Sequence, residues 1–438
     1  MIAKIQTFLA KSAQRWLQCS MGFRSKAIRS SGAQRVVVTG VGIITPMGLG
    51  WENNAAGFRA GNCVMKPVSL FDVSMQKAKV AGEIRLPENL PATRLHPRQK
   101  HRIDRASAML LHAAAEALEA SGWQLNKIEE PLPVCLGTSA GAMQIGEEYY
   151  RVAVEGKSRR RQAERVTAYQ TQRQALNLCD GFGIRGPVII ISNACSSGAN
   201  AIGHAFKLVA TGCARRVLAG GYDALCKMVF AGFDSLQALS TTLPRPFAAD
   251  RDGLALGEGA SLFCIERFDD AIRRGGNIYA EIAGYGAATD QHHLTQPHPD
   301  GDAALLSMNR ACAEAGLNSD QVGYINSHGT GTPLNDSAEA CAISRWAGKS
   351  VENLAVSSTK GGIGHLLGGA GAVESAICLM AMEGGWIPPN AAVDRIDPIC
   401  KFNLVQEPRD LPGIATSLTN SFGFGGANAT LVFNRIAS

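Results

Sequence analysis

The stretch whose reading decides the fold is Pro187-Val188-Ile189-Ile190-Ile191-Ser192-Asn193-Ala194-Cys195-Ser196-Ser197-Gly198-Ala199-Asn200-Ala201-Ile202-Gly203. It has two halves that meet at one cysteine. The first is a short β-branched apolar run, the pattern of a strand buried on both faces. The second is small and helix-compatible, and continues into His204-Ala205-Phe206-Lys207-Leu208. Cys195 is therefore predicted at a sharp strand-to-helix turn, at or near a helix N-terminus. Unpaired N–H groups gather there, and the helix dipole favours an anion. That setting lowers a thiol pKa; a fall of about 1.5 from about 8.5 needs only about 2 kcal/mol and leaves the thiol about half ionised. The alternative is a buried structural cysteine, since free cysteines are among the most buried residues. This stretch alone does not choose between them.

Working outward, the 438 residues are enough for two domains or one large duplicated one. Hydrophobic residues make up 46% and charged residues 18%, which supports a large core and argues against disorder over most of the length. The formal net charge is +6. Lys4, Lys11, Arg15, Arg24, Lys26 and Arg29 account for all of it, and no acidic residue precedes residue 35. The remainder is neutral, so nothing general points to nucleic acid. The 12 cysteines include no Cys-x-x-Cys pair and no regular spacing with histidine. That excludes a zinc framework and a secreted disulfide framework and fits a reducing compartment. No apolar run reaches the ~18–20 residues of a membrane span.

Residues 1–34 read as a leader or disordered extension. Ile2, Ile5, Phe8, Leu9, Ala13, Trp16 and Leu17 recur at helical spacing among basic residues, a transit-peptide composition. The expected location is soluble and cytoplasmic, or alternatively the mitochondrial matrix or a plastid after removal of 1–34. Residues 35–46 are predicted as a strand running into a glycine-rich turn, with only a weak echo of a nucleotide-binding loop. A helix is predicted over 52–61, another over 103–122, and a strand over 133–137 leading into Thr138-Ser139-Ala140-Gly141. A basic run follows at Lys157, Arg159, Arg160 and Arg161; it is either a solvated helix face or a docking patch for an acidic partner. Beyond Cys195, strands are predicted over 216–223, 261–265, 278–285, 322–327, 354–358 and 429–434. Helices are predicted over 303–315, 337–346 and 366–382. This alternation implies α/β layers with largely parallel sheets. The expected units are 35–273, holding Cys195, and 274–438, holding two histidine loops.

Those loops are Asn326-Ser327-His328-Gly329-Thr330-Gly331-Thr332-Pro333 and Ser357-Ser358-Thr359-Lys360-Gly361-Gly362-Ile363-Gly364-His365. Each follows a predicted buried strand, where open α/β sheets gather ligands. A lone histidine is more often a satisfied structural imidazole. Two in glycine-rich loops, in a chain with nine histidines and with Cys195 at a sharp turn, make that reading less attractive. With these motifs the chain resembles the β-ketoacyl-acyl carrier protein synthases of the elongating, Cys-His-His type. Asn193-Ala194-Cys195-Ser196-Ser197-Gly198, His328-Gly329-Thr330-Gly331-Thr332, Lys360-x4-His365 and Ser421-Phe422-Gly423-Phe424-Gly425-Gly426-Ala427-Asn428 occur in the family's order. Arg251-Asp252-Gly253 and Gly257-Glu258-Gly259 match its middle section, and the likeness covers about residues 35–436.

The resemblance implies a thiolase-like α/β fold: two pseudo-repeated halves, each with a five-stranded sheet, in α-β-α-β-α layers, usually as a homodimer. It implies an acyltransferase that condenses a Cys195-bound acyl group with malonyl-acyl carrier protein, releasing CO2. It further implies that His328 and His365 bind the enolate oxygen, that Lys360 orients the site electrostatically, and that backbone N–H groups of Cys195 and Phe424 form the oxyanion hole. Thr330 and Thr332 match hydroxyls that contact the pantetheine arm, and Phe422 and Phe424 form a gate on a glycine hinge. No metal or cofactor is implied beyond the phosphopantetheine of the carrier, and the basic residues 157–161 gain weight as its docking patch. Three departures stand out. Asn193 replaces a common threonine, Ser196-Ser197 replaces Ala-Ser or Thr-Ser, and Ala140 stands where a bulky aliphatic is common. The last suggests a deeper or wider acyl pocket. A polyketide or aryl-polyene pigment ketosynthase has the same chemistry and stays open. A non-catalytic partner subunit would lack the nucleophile, and a Cys-His hydrolase would leave the Lys-x4-His loop without a role.

Overall fold

The computed structural model of the protein describes residues 34–156 and 162–436. The basic run at Lys157, Arg159, Arg160 and Arg161, and the leader up to residue 33, lie outside the described residues. Among the described residues one strand order occurs twice. The first half contains β1 (Val36–Thr45), β2 (Val134–Gly137), β3 (Val188–Ile191), β4 (Arg216–Asp223) and β5 (Gly259–Arg267), side by side as β1-β5-β4-β2-β3. The second contains β6 (Ala280–Thr289), β7 (Tyr324–Asn326), β8 (Ala355–Ser357), β9 (Thr416–Gly423) and β10 (Ala427–Asn434), as β6-β10-β9-β7-β8. The two sheets meet edge to edge where Val37 and Val38 pair with Glu281 and Ala280.

The sheets are mixed and not largely parallel. β2 runs parallel to β3 and β4, and β7 parallel to β8 and β9. β5 and β10 run antiparallel to both their neighbours. The cause is plain at β9 and β10: the three-residue turn Phe424–Gly426 joins them, and a parallel crossover needs a dozen residues or more. β9 itself escapes sequence reading. Its residues Thr416, Ser417, Thr419, Asn420 and Ser421 are polar, yet all are buried.

Helices fill three layers around these sheets. α1 (Arg105–Ser121) and α2 (Thr171–Phe182) cover the outer face of the first sheet. α3 (Ser197–Ala210) and α6 (Ala370–Gly384) pack on each other between the sheets. α4 (Asp302–Ala315) and α5 (Pro333–Ala347) cover the second sheet. α1 begins at Asp104, whose carboxylate accepts the Ser107 N–H at 2.8 Å, and ends at Gly122 with φ 65°. α6 is buried from Ala370 through Met382, as its all-round apolar sequence requires. It starts four residues later than its sequence suggests, because Leu366–Gly369 form a turn with Leu367 at φ 50°.

The glycines after residue 39 sit inside β1 and make no phosphate-binding loop. A Cβ on Gly40 or Gly42 would lie 2.2 and 1.9 Å from the Ala117 and Ala113 carbonyl oxygens of α1. Gly284 and Gly286 in β6 lie under α4 in the same way, so the G-x-G spacing is a helix-seating device used once per half.

Candidate active site

The elbow carrying Cys195 is built by backbone geometry. β3 ends at Ile191, Ala194 takes φ 57°, and α3 begins at Ser197 with Ser196 as its N-cap. A left-handed alanine costs roughly 1–2 kcal/mol. The Ala194 carbonyl is held against that strain by the Ser139 and Ser197 hydroxyls, which donate to it at 2.9 and 2.6 Å.

His328 follows β7, and His365 follows β8. The Glu339 carboxylate of α5 accepts the N–H groups of His328 and Gly329 at 2.8 and 2.7 Å. His365 Nδ1 accepts the Leu367 N–H at 3.2 Å. That contact places the neutral ring's proton on Nε2, which has no hydrogen-bond partner among the described residues. The Cys195 sulfur and one nitrogen of each imidazole all lie within 4.8 Å of one another. The two rings are 5.2 Å apart at 83°, and all three side chains are buried. One sulfur and two imidazoles could also ligate a soft metal ion.

Electrostatics here are governed by burial. Burial pushes His328 and His365 well below the ordinary imidazole value, and the Lys360 ammonium pushes the same way. Both rings therefore stay neutral. The Cys195 thiol is pushed up to about 12 by burial; Lys360 and the N–H groups of Phe424 and Cys195 pull it down without winning. The depressed thiol expected from a helix start is thus not found in the free protein. The anion-stabilising groups are in place, but the thiol is deeply buried.

Lys360 is buried and ion-paired to Glu374 of α6. It stands behind the triad and outside the channel lining. The channel, about 360 Å³, is lined by Cys195, His328, His365, Thr330, Thr332, Phe422 and Phe424, with Phe233 and Leu294 near its mouth. Thr330 and Thr332 share a 2.8 Å hydroxyl contact, and Asp336 accepts the Thr330 N–H at 2.9 Å. Phe424 stacks on Phe233 at 5.7 Å and 14°, in the turn before Gly425 at φ 78°. The Gly425 N–H donates to the Leu294 carbonyl at 2.7 Å. Ala140 is not in the channel. It is buried in a separate apolar cluster with Leu225, Phe230, Leu239, Leu254 and Leu367.

Sequence reasoning missed the carboxylates Glu339, Asp336, Glu374 and Asp223 and the ring Phe233. Only Glu374 carried a local signal: an acid in the apolar interior of a helix whose other acid, Glu383, stands in the last turn.

Known proteins share this organisation. The family described as beta-ketoacyl synthase, N-terminal domain, matches residues 33–271, and its C-terminal domain matches 279–394. A 3-oxoacyl-[acyl-carrier-protein] synthase 2 of Rhizobium meliloti is 35% identical over 423 residues, 92% of this chain and 99% of its own. Another from Synechocystis sp. is 34% identical over 416 residues, 92% and 98%. Among solved structures, the ishigamide ketosynthase/chain length factor superposes with a TM-score of 0.84 at 28% identity, covering 92% of this chain and all of that one. A type II polyketide acyl-carrier protein in complex with its ketosynthase gives 0.84 at 26%, with the same coverage. With both family domains matched in order and relatives above 30% identity over nearly their whole length, the chain belongs to the β-ketoacyl synthase family.

Proposed function

We propose that the protein elongates acyl chains by decarboxylative condensation on acyl carrier protein. The observation that carries this is the buried group of one thiol and two neutral imidazoles at the floor of a channel, with two N–H groups directed at the sulfur. In the first step Cys195 displaces the carrier thiol from an acyl thioester. The S–acyl bond forms on Cys195, the carrier C–S bond breaks, and the thiol proton leaves with the carrier. The Cys195 and Phe424 N–H groups meet the negative carbonyl oxygen, and losing one such donor costs about 3–4 kcal/mol. In the second step malonyl on another carrier loses CO2. The electron pair of the broken C–C bond becomes an enolate, whose oxygen accepts from His365 Nε2 and from His328. The enolate carbon attacks the acyl group, the C–S bond to Cys195 breaks, and the departing thiolate takes up a proton from solvent to restore the thiol. Neutral rings suit this work, because a protonated imidazole would surrender its proton to the enolate. Lys360 acts at a distance by keeping both rings neutral and drawing the thiol down.

Thr330, Thr332 and the Phe422–Phe424 gate are assigned to the pantetheine arm because they line the channel that reaches Cys195. Fatty-acid elongation is favoured over polyketide synthesis because the relatives named 3-oxoacyl-[acyl-carrier-protein] synthase 2 are 34–35% identical, against 26–28% for polyketide-type structures. An acyl carrier protein as partner is supported by those names. Pairing of two copies along β3 fits the open, half-buried edge of the first sheet at Val188–Ile191. Division at residues 273–274 follows the repeated strand order, and no cofactor enters the scheme. No helix among the described residues is long and apolar enough to cross a membrane; a soluble cytoplasmic enzyme, or an organellar one after loss of 1–34, completes the reading.

Incubation with a panel of acyl-carrier proteins and malonyl-carrier protein, followed by mass analysis, tests it. The expected result is an acyl adduct on Cys195 and a product longer by two carbons. No adduct on Cys195 in the intact enzyme overturns it.

A further inference from the structure

Asp223 ends β4 and is fully buried, yet takes no part in the scheme above. Its Oδ1 accepts the Thr138 hydroxyl at 2.6 Å and the N–H groups of Ala140 and Gly141 at 2.8 and 2.6 Å. Its Oδ2 accepts the N–H groups of Ser139 and Gly368 at 2.9 and 2.6 Å. No basic side chain is among these partners. A buried carboxylate held only by neutral donors is costly, so each of those donors is firmly fixed.

Both arms lead to the triad. On one side, Ser139 hydrogen-bonds its own hydroxyl to the Ala194 carbonyl, the strained residue that aims Cys195. On the other, Gly368 follows Leu367, whose φ of 50° turns its N–H onto His365 Nδ1. The two loops touch so closely that a Cβ on Gly368 would lie 2.6 Å from the Ser139 nitrogen. The first loop belongs to one half of the molecule and the second to the other. We propose that Asp223 is a positioning residue for the condensation: one carboxylate that sets the direction of the nucleophile in the first half and the tautomer of His365 in the second. An uncharged amide, with one acceptor oxygen and fewer lone pairs, cannot hold both arms.

This rests on the condensing reading and assigns separate consequences to each half-reaction. Asp223→Asn presents an amide N–H2 to N–H groups and loses one arm or both. Its condensation turnover should fall about 10- to 100-fold, the range for hydrogen bonds to a buried charge. The Asp223 charge also opposes ionisation of Cys195. Alkylation of Cys195 by iodoacetamide in D223N should therefore shift its midpoint to lower pH; entry of water would do the same, so the shift is read only in protein whose thermal midpoint matches the parent's. Ser139→Ala cuts only the link to the elbow. It should slow acylation of Cys195 about 10-fold and leave malonyl-carrier decarboxylation within about twofold, with the alkylation midpoint unmoved.

All variants are compared as full-length protein with matched thermal midpoints and intact mass. S139A keeps the test alive if D223N does not fold. Parental acylation in S139A, or acylation and decarboxylation falling together in it, overturns the proposal; so does a D223N alkylation profile equal to the parent's. If the parent itself forms no Cys195 adduct, the condensing reading fails. If the parent acylates and the variants match it, only the role of Asp223 fails.

Discussion

Lys360 and Glu374 form a buried ion pair directly behind the triad, and removing one member is the most informative perturbation of it. Both side chains are almost wholly enclosed, so Lys360→Met strands Glu374 in a dry site. Stranding one charge of such a pair costs about 3–5 kcal/mol. For a chain of this length the unfolding entropy is about 0.9 kcal/mol/K, so the thermal midpoint should fall roughly 3–6 °C. Glu374→Gln strands the ammonium and should cost a similar amount. The double variant K360M/E374Q removes both charges, replaces them with groups of similar volume, and should recover most of the loss. The single costs sum to about 6–10 kcal/mol against roughly 1 for the double, so the expected coupling is at least about 5 kcal/mol in magnitude.

Activity must part from stability in the same series. Lys360 pulls the Cys195 thiol down and adds to the burial that keeps both imidazoles neutral. Acylation of Cys195 should therefore be slow in K360M and equally slow in the double variant, though the latter is stable again. The assay is thermal unfolding in parallel with the rate of acyl adduct formation by mass. Midpoints that add across the double variant would refute the pairing. Recovery of acylation together with stability would refute the electrostatic role and leave Lys360 a structural residue.

The remaining predictions concern pH, the acyl pocket and docking. Because His328 and His365 lie well below their ordinary value, malonyl decarboxylation should be flat from about pH 6 to 8; a bell centred near pH 6.5 would contradict neutral donors. Stability has two opposing contributions. The unfolded chain takes up histidine protons below about pH 6.5 that the folded chain refuses, which lowers stability on acidification. Glu339, pushed up to about 7 by burial, does the reverse between about pH 4.5 and 7. Glu339→Gln should therefore steepen the loss of stability below pH 6.5, read from unfolding midpoints across pH 5 to 7.5. Ala140 lies outside the channel but packs in one cluster with Leu254, which lines it, so Ala140→Phe should press on the channel through Leu254 and reduce turnover of long acyl chains while sparing short ones; an unchanged chain-length profile dismisses Ala140 as a determinant of chain length. Charge reversal at Lys157, Arg159, Arg160 and Arg161 should raise KM for carrier-bound substrate by about tenfold and spare free thioesters, and equal effects on both would dismiss the patch.

What the sequence made legible, and what it hid, divides along a physical line. Groups that meet substrate announce themselves locally: a cysteine after Val188-Ile189-Ile190-Ile191, and histidines in glycine-rich loops after short strands. Such loops are small because the backbone itself must approach the ligand. The groups that tune them are carboxylates away from those loops, and of these only Glu374, an acid inside an apolar helix, carries a local mark. Glu339 is 11 residues from His328, Glu374 is 14 from Lys360, and Asp223 is 145 from Gly368. Each acts through backbone N–H groups or one ammonium, and a backbone N–H has no letter in a sequence. β9 was hidden for a related reason, since its buried Ser417, Thr419, Asn420 and Ser421 give no apolar alternation to read.

The thiol shows why this matters for mechanism. A helix start predicts a depressed Cys195 and counts only the favourable partial charges. The folded chain adds burial, which outweighs them and leaves the resting thiol protonated. A nucleophile that ionises only as its thioester arrives is protected against oxidation and stray electrophiles between turnovers. The same dryness that raises the thiol lowers the two histidines, so one property of the site supplies both the masked nucleophile and the neutral donors. It follows that a substitution admitting water to the channel floor should activate the thiol toward small alkylating agents and weaken enolate stabilisation together. Alkylation and condensation would then move in opposite directions across a series of gate variants, and a series in which both rise together would break the link between them.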